Sequence, residues 1–255
     1  MVGVDYSSEQ GVAVVTLDRP PVNALSRQMA DELEAAFGRA EQGGERALVI
    51  TGRPHFAAGA DISGFQEAFS RGEQDRLAGR LSEVIRRLER LPMPTIAAVF
   101  GFALGGGLEL AMGADFRYLA EDARMGQPEI KLGIIPGAGG TQRLPRLVGF
   151  SRAKEMIYSG RHVESQEALE IGLADKVLPP ERLLEAALDA AAAFAGGPTV
   201  ALAAAKRAIN EGWGRPIDEG LEVEAGAFAE AFRTEDARAG VAAFLEKREP
   251  EFKGG

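Results

Sequence analysis

The chain has 255 residues, enough for one large domain or a domain with a helical appendage. An apolar share of 45% and a charged share of 26% are ordinary for a globular protein, and no apolar run approaches the roughly 18 residues that cross a bilayer. The net charge of −9 argues against a general binder of nucleic acid or acidic membrane, and the absence of cysteine removes disulfides, thiolate metal sites and cysteine nucleophiles. Met1 to Gln10 carries Asp5 and Glu9 and has no apolar core, so no secretory signal is expected there. A cytoplasmic protein is the expectation.

Val12 to Leu17 is a β-branched run that reads as a strand, ended by the turn Asp18-Arg19-Pro20-Pro21. Ser26 is a candidate cap for a helix running to Gln42, with Asp31 and Glu32 near its positive end and Gly43-Gly44 stopping it. Ala47 to Ile50 is a buried strand. Ser63 to Gly72 has weak periodicity and is expected to be a mobile loop. Gln74 to Arg90 predicts an amphipathic helix with Leu77, Leu81, Val84, Ile85 and Leu88 on one face. Thr95 to Phe100 is a second buried strand, Gly105 to Gly113 a helix and Phe116 to Ala120 a strand. Leu132 to Gly140 is a Gly/Pro loop. Helices then dominate: Thr141 to Val148, Ser151 to Tyr158, Ser165 to Gly172, Pro180 to Phe194, Pro198 to Glu211, Ile217 to Phe232 and Glu235 to Lys247. Strands alternating with helices, then helices alone, predict an α/β core over 1–195 and a helical section over 196–255.

Two short stretches carry the chemistry. Phe56-Ala57-Ala58-Gly59-Ala60-Asp61-Ile62 follows the strand at Ala47, and Gly101-Phe102-Ala103-Leu104-Gly105-Gly106-Gly107-Leu108-Glu109 follows the strand at Thr95. A turn of small residues lets a ligand reach bare backbone N–H groups. Two such turns at neighbouring strand ends can aim two donors, Ala58 N–H and Gly106 N–H, at one carbonyl oxygen, which is the requirement for holding an oxyanion. Gly106 opens a helix, where the macrodipole adds positive potential. Glu109 lies one turn on, within reach of a proton beside the same ligand. A second carboxylate, Glu129, follows Pro128, and the loop from Gly133 through Gly137 to Gly140 can close over a small pocket. Two carboxylates flanking a water can deprotonate it and return a proton to carbon. The dinucleotide, P-loop and nucleophile-elbow motifs are absent, and His55 and His162 fit no metal-binding spacing.

Taken together, Phe56 to Ile62, Gly101 to Glu109 with Asp115, and Gln127 to Gly137 resemble the enoyl-CoA hydratase/isomerase (crotonase) family. The resemblance covers nearly the whole chain. It begins with Asp18-Arg19-Pro20 and Asn23-Ala24-Leu25, continues through Gly139-Gly140-Thr141-Gln142-Arg143-Leu144, and ends with Ala243 to Arg248 and Phe252-Lys253-Gly254. It implies an α/β fold, a crotonase-like spiral of ββα units with a C-terminal helical trimerisation section, assembled as a homotrimer or a dimer of trimers. It implies a coenzyme A thioester substrate, no separate cofactor and no metal.

By motif, Ala58 and Gly106 match the oxyanion-hole donors, and Glu109 and Glu129 the acid/base pair. Gly137 matches the glycine near the catalytic water. Ala58, Gly59, Ala60, Asp61 and Ile62 match the segment that lines the thioester and pantetheine. Phe228 and Lys247 match positions that reach the adenine end, across a subunit boundary. Isomerases of the family usually keep a carboxylate at the position of Glu129 and lack one at Glu109, so the presence of both favours hydration: syn addition of water to a 2-trans-enoyl-CoA, in fatty acid or related acyl-CoA degradation. The same-class alternative is a Δ3,Δ2-enoyl-CoA isomerase. The alternative from another class is a non-catalytic RNA-binding relative, which the acidic charge disfavours. Neither a nucleic acid nor a membrane is expected as partner.

Overall fold

The β-branched run forms a strand as expected. In the computed structural model, which describes residues 3–61 and 79–255, it is β2, Val12–Leu17. It pairs antiparallel with β1, Val4–Glu9, a strand not predicted from the sequence. β1 is the edge strand and buries only Val4 fully, so its sequence shows no apolar alternation.

Six strands form one sheet in the order β1-β2-β3-β5-β7-β10, parallel from β2 onward. Here β3 is Ala47–Gly52, β5 Thr95–Val99, β7 Phe116–Ala120 and β10 Lys176–Leu178. Every residue of β3 and β5 is buried, which is why both read as unbroken apolar runs. A second sheet holds β4 (Ala57–Ala58), β6 (Phe102–Leu104), β8 (Arg124–Gly126) and β9 (His162–Glu164), in that order. From β3 to β8, successive strands go to alternate sheets and a helix follows each pair. β3 and β4 precede α2, Gly79–Arg90. β5 and β6 precede α3, Gly106–Met112. β7 and β8 precede a 3₁₀ turn, Pro128–Leu132, and α4, Gly140–Val148. Each ββα unit adds one strand to each sheet, so the chain spirals.

The first helix, α1, runs Arg27–Gly43. Ser26 caps it by accepting from Met29 N at 3.2 Å, and Gly44, at φ 80°, ends it. It buries Met29, Leu33, Phe37 and Ala40 along one face. Asp31 and Glu32 lie beyond its first turn and serve tertiary contacts instead of its positive end: Asp31 accepts from Arg80 Nε at 2.7 Å and Glu32 from Gly3 N at 2.8 Å. In the helix predicted from Gln74, residues 74–78 lie outside the described residues, as does the loop expected at 63–72.

After α5 (Phe150–Ser159) and α6 (Ser165–Glu170), the helix α7, Pro180–Ala195, covers the large sheet with a narrow face of Leu183, Ala187, Ala191 and Ala195. Next, α8 (Thr199–Gly212) and α9 (Ile217–Phe232) pack against each other, and α10 is Glu235–Glu246, capped by Thr234. Polar ties fix α8 to the core: Lys206 Nζ meets Asp115 Oδ2 at 2.9 Å and Met93 O at 3.0 Å, and Asn210 Nδ2 donates to Glu89 O at 3.1 Å. Ala204 and Ala227 are the buried residues of α8 and α9, whereas Trp213, Ile217, Leu221, Phe228 and Phe232 stay exposed. No single helix among the described residues is long and apolar enough to cross a membrane.

Candidate active site

The two small-residue turns meet because their strands pair. β4 and β6 run parallel, with Ala57 opposite Ala103 and Ala58 opposite Leu104. The chain leaves β4 through Gly59-Ala60-Asp61 and leaves β6 through Gly105-Gly106. Gly105 has φ 54°, which favours glycine, and a Cβ there would crowd Glu129 Oε1 at 3.0 Å.

The structure corrects one donor. Ala58 N–H is committed to the fold, donating to Val22 O at 2.9 Å. The extended chain turns alternate N–H groups to opposite sides. Leu25 brackets the next residue pair, with Leu25 N donating to Gly59 O and Asp61 N to Leu25 O, both at 2.9 Å. Ala60 N–H therefore points the other way, toward the second turn, where a methyl group placed on Gly106 would lie 3.6 Å from Ala60 N. Gly106 is the first residue of α3, so its N–H has no acceptor within the helix. Neither Ala60 N–H nor Gly106 N–H donates to another described residue. The pair of available donors is Ala60 and Gly106. Both Ala58 and Ala60 lie in one motif, and only the pairing with Val22 and Leu25 decides which N–H is free.

That pairing depends on Asn23. Fully buried at φ 53°, its amide donates to Leu17 O at 3.1 Å and His55 O at 2.7 Å, and its oxygen accepts from Arg19 N at 2.7 Å. Arg19 also holds Asp61 Oδ2 at 2.6 Å, so the Asp61 carboxylate anchors the turn through an ion pair. Ile62 lies outside the described residues.

Glu109 sits in the first turn of α3 with 2% of its surface exposed. Its Oε1 accepts from Ala138 N at 2.8 Å and Gly140 N at 2.7 Å. Oε2 accepts no hydrogen bond from the described residues. Burial raises the Glu109 pKa above the ordinary 4.5, opposed by the two backbone donors and by the Arg143 charge. Glu129 stands in the 3₁₀ turn that Pro128 opens. The Gln127 amide, with its nitrogen toward the carboxylate, donates to Oε1 at 2.8 Å and Oε2 at 3.0 Å. Burial, with a smaller push from the Glu109 charge, raises the Glu129 pKa to about 7. Two raised, mutually repelling carboxylates titrate as a pair, and such poised groups mark a site for proton transfer near neutral pH. The sequence alone gives Gln127 and Arg143 no role in the site; both lie in the quoted motifs, but only packing shows what each touches.

Gly137 is exposed in the loop between Glu129 and the turn that holds Glu109. Phe228, on α9, is exposed and stacks on Phe232 at 5.6 Å, and Lys247 follows α10 in a left-handed conformation at φ 57°. Neither is joined to Glu109 or Glu129 by a hydrogen bond or ion pair among the described residues. Those residues also contain no group of three or more His, Asp or Glu arranged to hold a metal ion.

The sequence profile of the family described as Enoyl-CoA hydratase/isomerase matches residues 7–255. The short-chain-enoyl-CoA hydratase of Clostridium acetobutylicum is 45% identical over 253 residues, covering 97% of this chain and 96% of its own. The crotonyl-CoA hydratase of Syntrophomonas wolfei is 42% identical, covering 96% of this chain and 95% of its own. A crystal structure of an enoyl-CoA hydratase from Bacillus anthracis superposes with a TM-score of 0.92 at 38% identity, over 100% of both chains. The chain belongs to the enoyl-CoA hydratase/isomerase family, and its fold is the crotonase spiral.

Proposed function

We propose that the chain hydrates 2-trans-enoyl-CoA thioesters to 3-hydroxyacyl-CoA by syn addition of water. The hydratase activity is supported by the full-length relatives that carry that name. The observation that carries the mechanism is the convergence of two free N–H donors and two poised carboxylates on adjoining turns. Ala60 and Gly106 hold the thioester oxygen as negative charge develops on it. Glu109, positioned by Ala138 and Gly140, takes the proton from water as that water attacks the β-carbon. Glu129, protonated, delivers a proton to the α-carbon. The side chains of Leu25 and Leu81 flank Gly106, with Leu81 Cδ2 at 3.0 Å and Leu25 Cδ1 at 3.7 Å from a methyl placed there, and so offer an apolar wall to the acyl chain. Degradation of fatty acyl-CoA or related acyl-CoA is the setting that suits this reaction, without a separate cofactor.

Retention of Glu109 favours hydration over double-bond migration, which needs only one carboxylate. Comparing 2-trans- and 3-enoyl-CoA of equal length tests this: the 2-enoyl substrate should lose its conjugated absorbance faster than the 3-enoyl substrate gains it. The reverse order would make the enzyme an isomerase.

The reading extends to assembly. Residues 196–255 leave Trp213, Ile217, Phe228, Phe232, Phe244 and Leu245 exposed, and clustered exposed apolar side chains of this kind mark interaction surfaces. A homotrimer, or a dimer of trimers, would cover them and bring Phe228 and Lys247 toward a neighbour's coenzyme. Light scattering should give a trimer or hexamer, and deletion from Glu235 onward should weaken assembly and coenzyme A binding together. A monomer at micromolar concentration contradicts this.

A further inference from the structure

We propose that Arg143 is a positioning residue for hydration: it clamps the Ala138–Gly140 turn in the conformation that presents two N–H groups to Glu109. The proposal rests on the reading of Glu109 as the base that activates water.

Glu109 Oε1 is held by backbone donors, so whatever fixes the turn fixes the carboxylate. Arg143, on α4, fixes it from the other side. Its Nη1 donates to Ala138 O at 3.1 Å, so Ala138 is held at its N–H by Glu109 and at its carbonyl by Arg143. The guanidinium lies against the bare Cα of Gly139, where a Cβ would fall 2.0 Å from Nη1; Gly139 has φ 113°, which glycine alone adopts without strain.

The remaining nitrogens of the fork, Nε and Nη2, donate to Glu89 Oε1 at 3.3 Å and Oε2 at 2.9 Å. Glu89 belongs to α2, and its own carbonyl accepts from Asn210. The clamp thus ties the turn to a separate element. Arg143 is 16% exposed, so little water is at hand to replace these bonds. A planar fork can meet a carbonyl on one nitrogen and a carboxylate on the other two, which the point charge of lysine cannot do.

The charge of Arg143 also favours the ionised form of Glu109. The other charged group acting across the site is Glu129 from the 3₁₀ turn. Of the elements packed on α3, β4 and β6 bring no charged side chain. Arg117 of β7 is paired with Asp175 at 3.1 Å, and Glu89 of α2 is paired with Arg143.

The test compares kcat, KM, pH profile, melting temperature and assembly for the wild type, Arg143→Gln, Arg143→Lys and Glu89→Gln, with crotonyl-CoA. Arg143→Gln should lower kcat about ten- to hundredfold, through a displaced carboxylate, with KM within about threefold. It should also move the acid limb of activity to higher pH, because Glu109 loses the charge that holds it ionised. Arg143→Lys should keep the limb near its wild-type position while recovering only part of kcat. Glu89→Gln should lower kcat without moving the limb to higher pH, because Arg143 keeps its charge and loses only the carboxylate that holds its fork. A folded Arg143→Gln with wild-type kcat and limb overturns the proposal. So does a kcat loss that tracks lost melting temperature or assembly with the limb unmoved. If Arg143→Gln does not fold, Arg143→Lys and Glu89→Gln decide: unchanged kcat in both overturns the clamp. Failure of the underlying reading shows elsewhere, as normal hydration by Glu109→Gln.

Discussion

Ala60→Pro should lower kcat by roughly 10²–10³, because it deletes one of two N–H donors aimed at the thioester oxygen. Ala60→Gly keeps the donor and should be mild. Ala58→Pro makes the informative contrast. Its lost N–H pairs with Val22 O, so the substitution removes a structural bond of β4 and should appear first as a lower melting temperature. At position 60 proline also restricts the preceding Gly59, which has φ 88°, so melting temperature and coenzyme A affinity must be measured on each variant. An Ala60→Pro enzyme that folds, binds coenzyme A and turns over normally would show that Ala60 does not donate to the substrate.

Glu109→Gln and Glu129→Gln should each lower kcat by roughly 10² or more while leaving KM within about tenfold. Glutamine keeps size and hydrogen-bonding capacity and removes the charge and the ability to take up or give a proton. The pH dependence follows from the two roles. Glu129 must carry its proton, and its pKa is raised to about 7, so kcat/KM for hydration should fall as pH rises through that value. Glu109 must be ionised, and its pKa is raised above the ordinary carboxylate range, so kcat/KM should also fall on the acid side. The profile should be a bell whose limbs belong to the pair. A flat profile, or near-normal hydration by Glu109→Gln beside a dead Glu129→Gln, would turn the mechanism toward single-carboxylate isomerisation.

Much of this architecture is legible in the sequence, for identifiable reasons. β3 and β5 announce themselves because both faces are buried, α1 because Ser26 caps it and Gly44 ends it, and α9 because Pro216 opens it. The spiral itself is hidden. Its second sheet is made of strands of two or three residues, β4, β6, β8 and β9, too short for any alternation to show. β10, equally short, is hidden for the same reason.

The site divides in the same way. Glu109 and Glu129 stand out as carboxylates in motifs of small residues and proline. Which alanine donates cannot be read from Ala57-Ala58-Gly59-Ala60, because the choice depends on a strand-like pairing with Val22 and Leu25, more than thirty residues earlier in the chain. Arg143 reads as an ordinary helical arginine until its fork is seen against Gly139 and Glu89.

The central claim is that this site adds water to a conjugated enoyl thioester using only backbone donors and two glutamates. Crotonyl-CoA, incubated with purified protein in the presence of a metal chelator, tests it most directly. The account predicts loss of the conjugated-enoyl absorbance with formation of 3-hydroxybutyryl-CoA, at a rate the chelator does not change. No turnover of this or any longer or branched 2-enoyl-CoA, or activity abolished by the chelator, would contradict it.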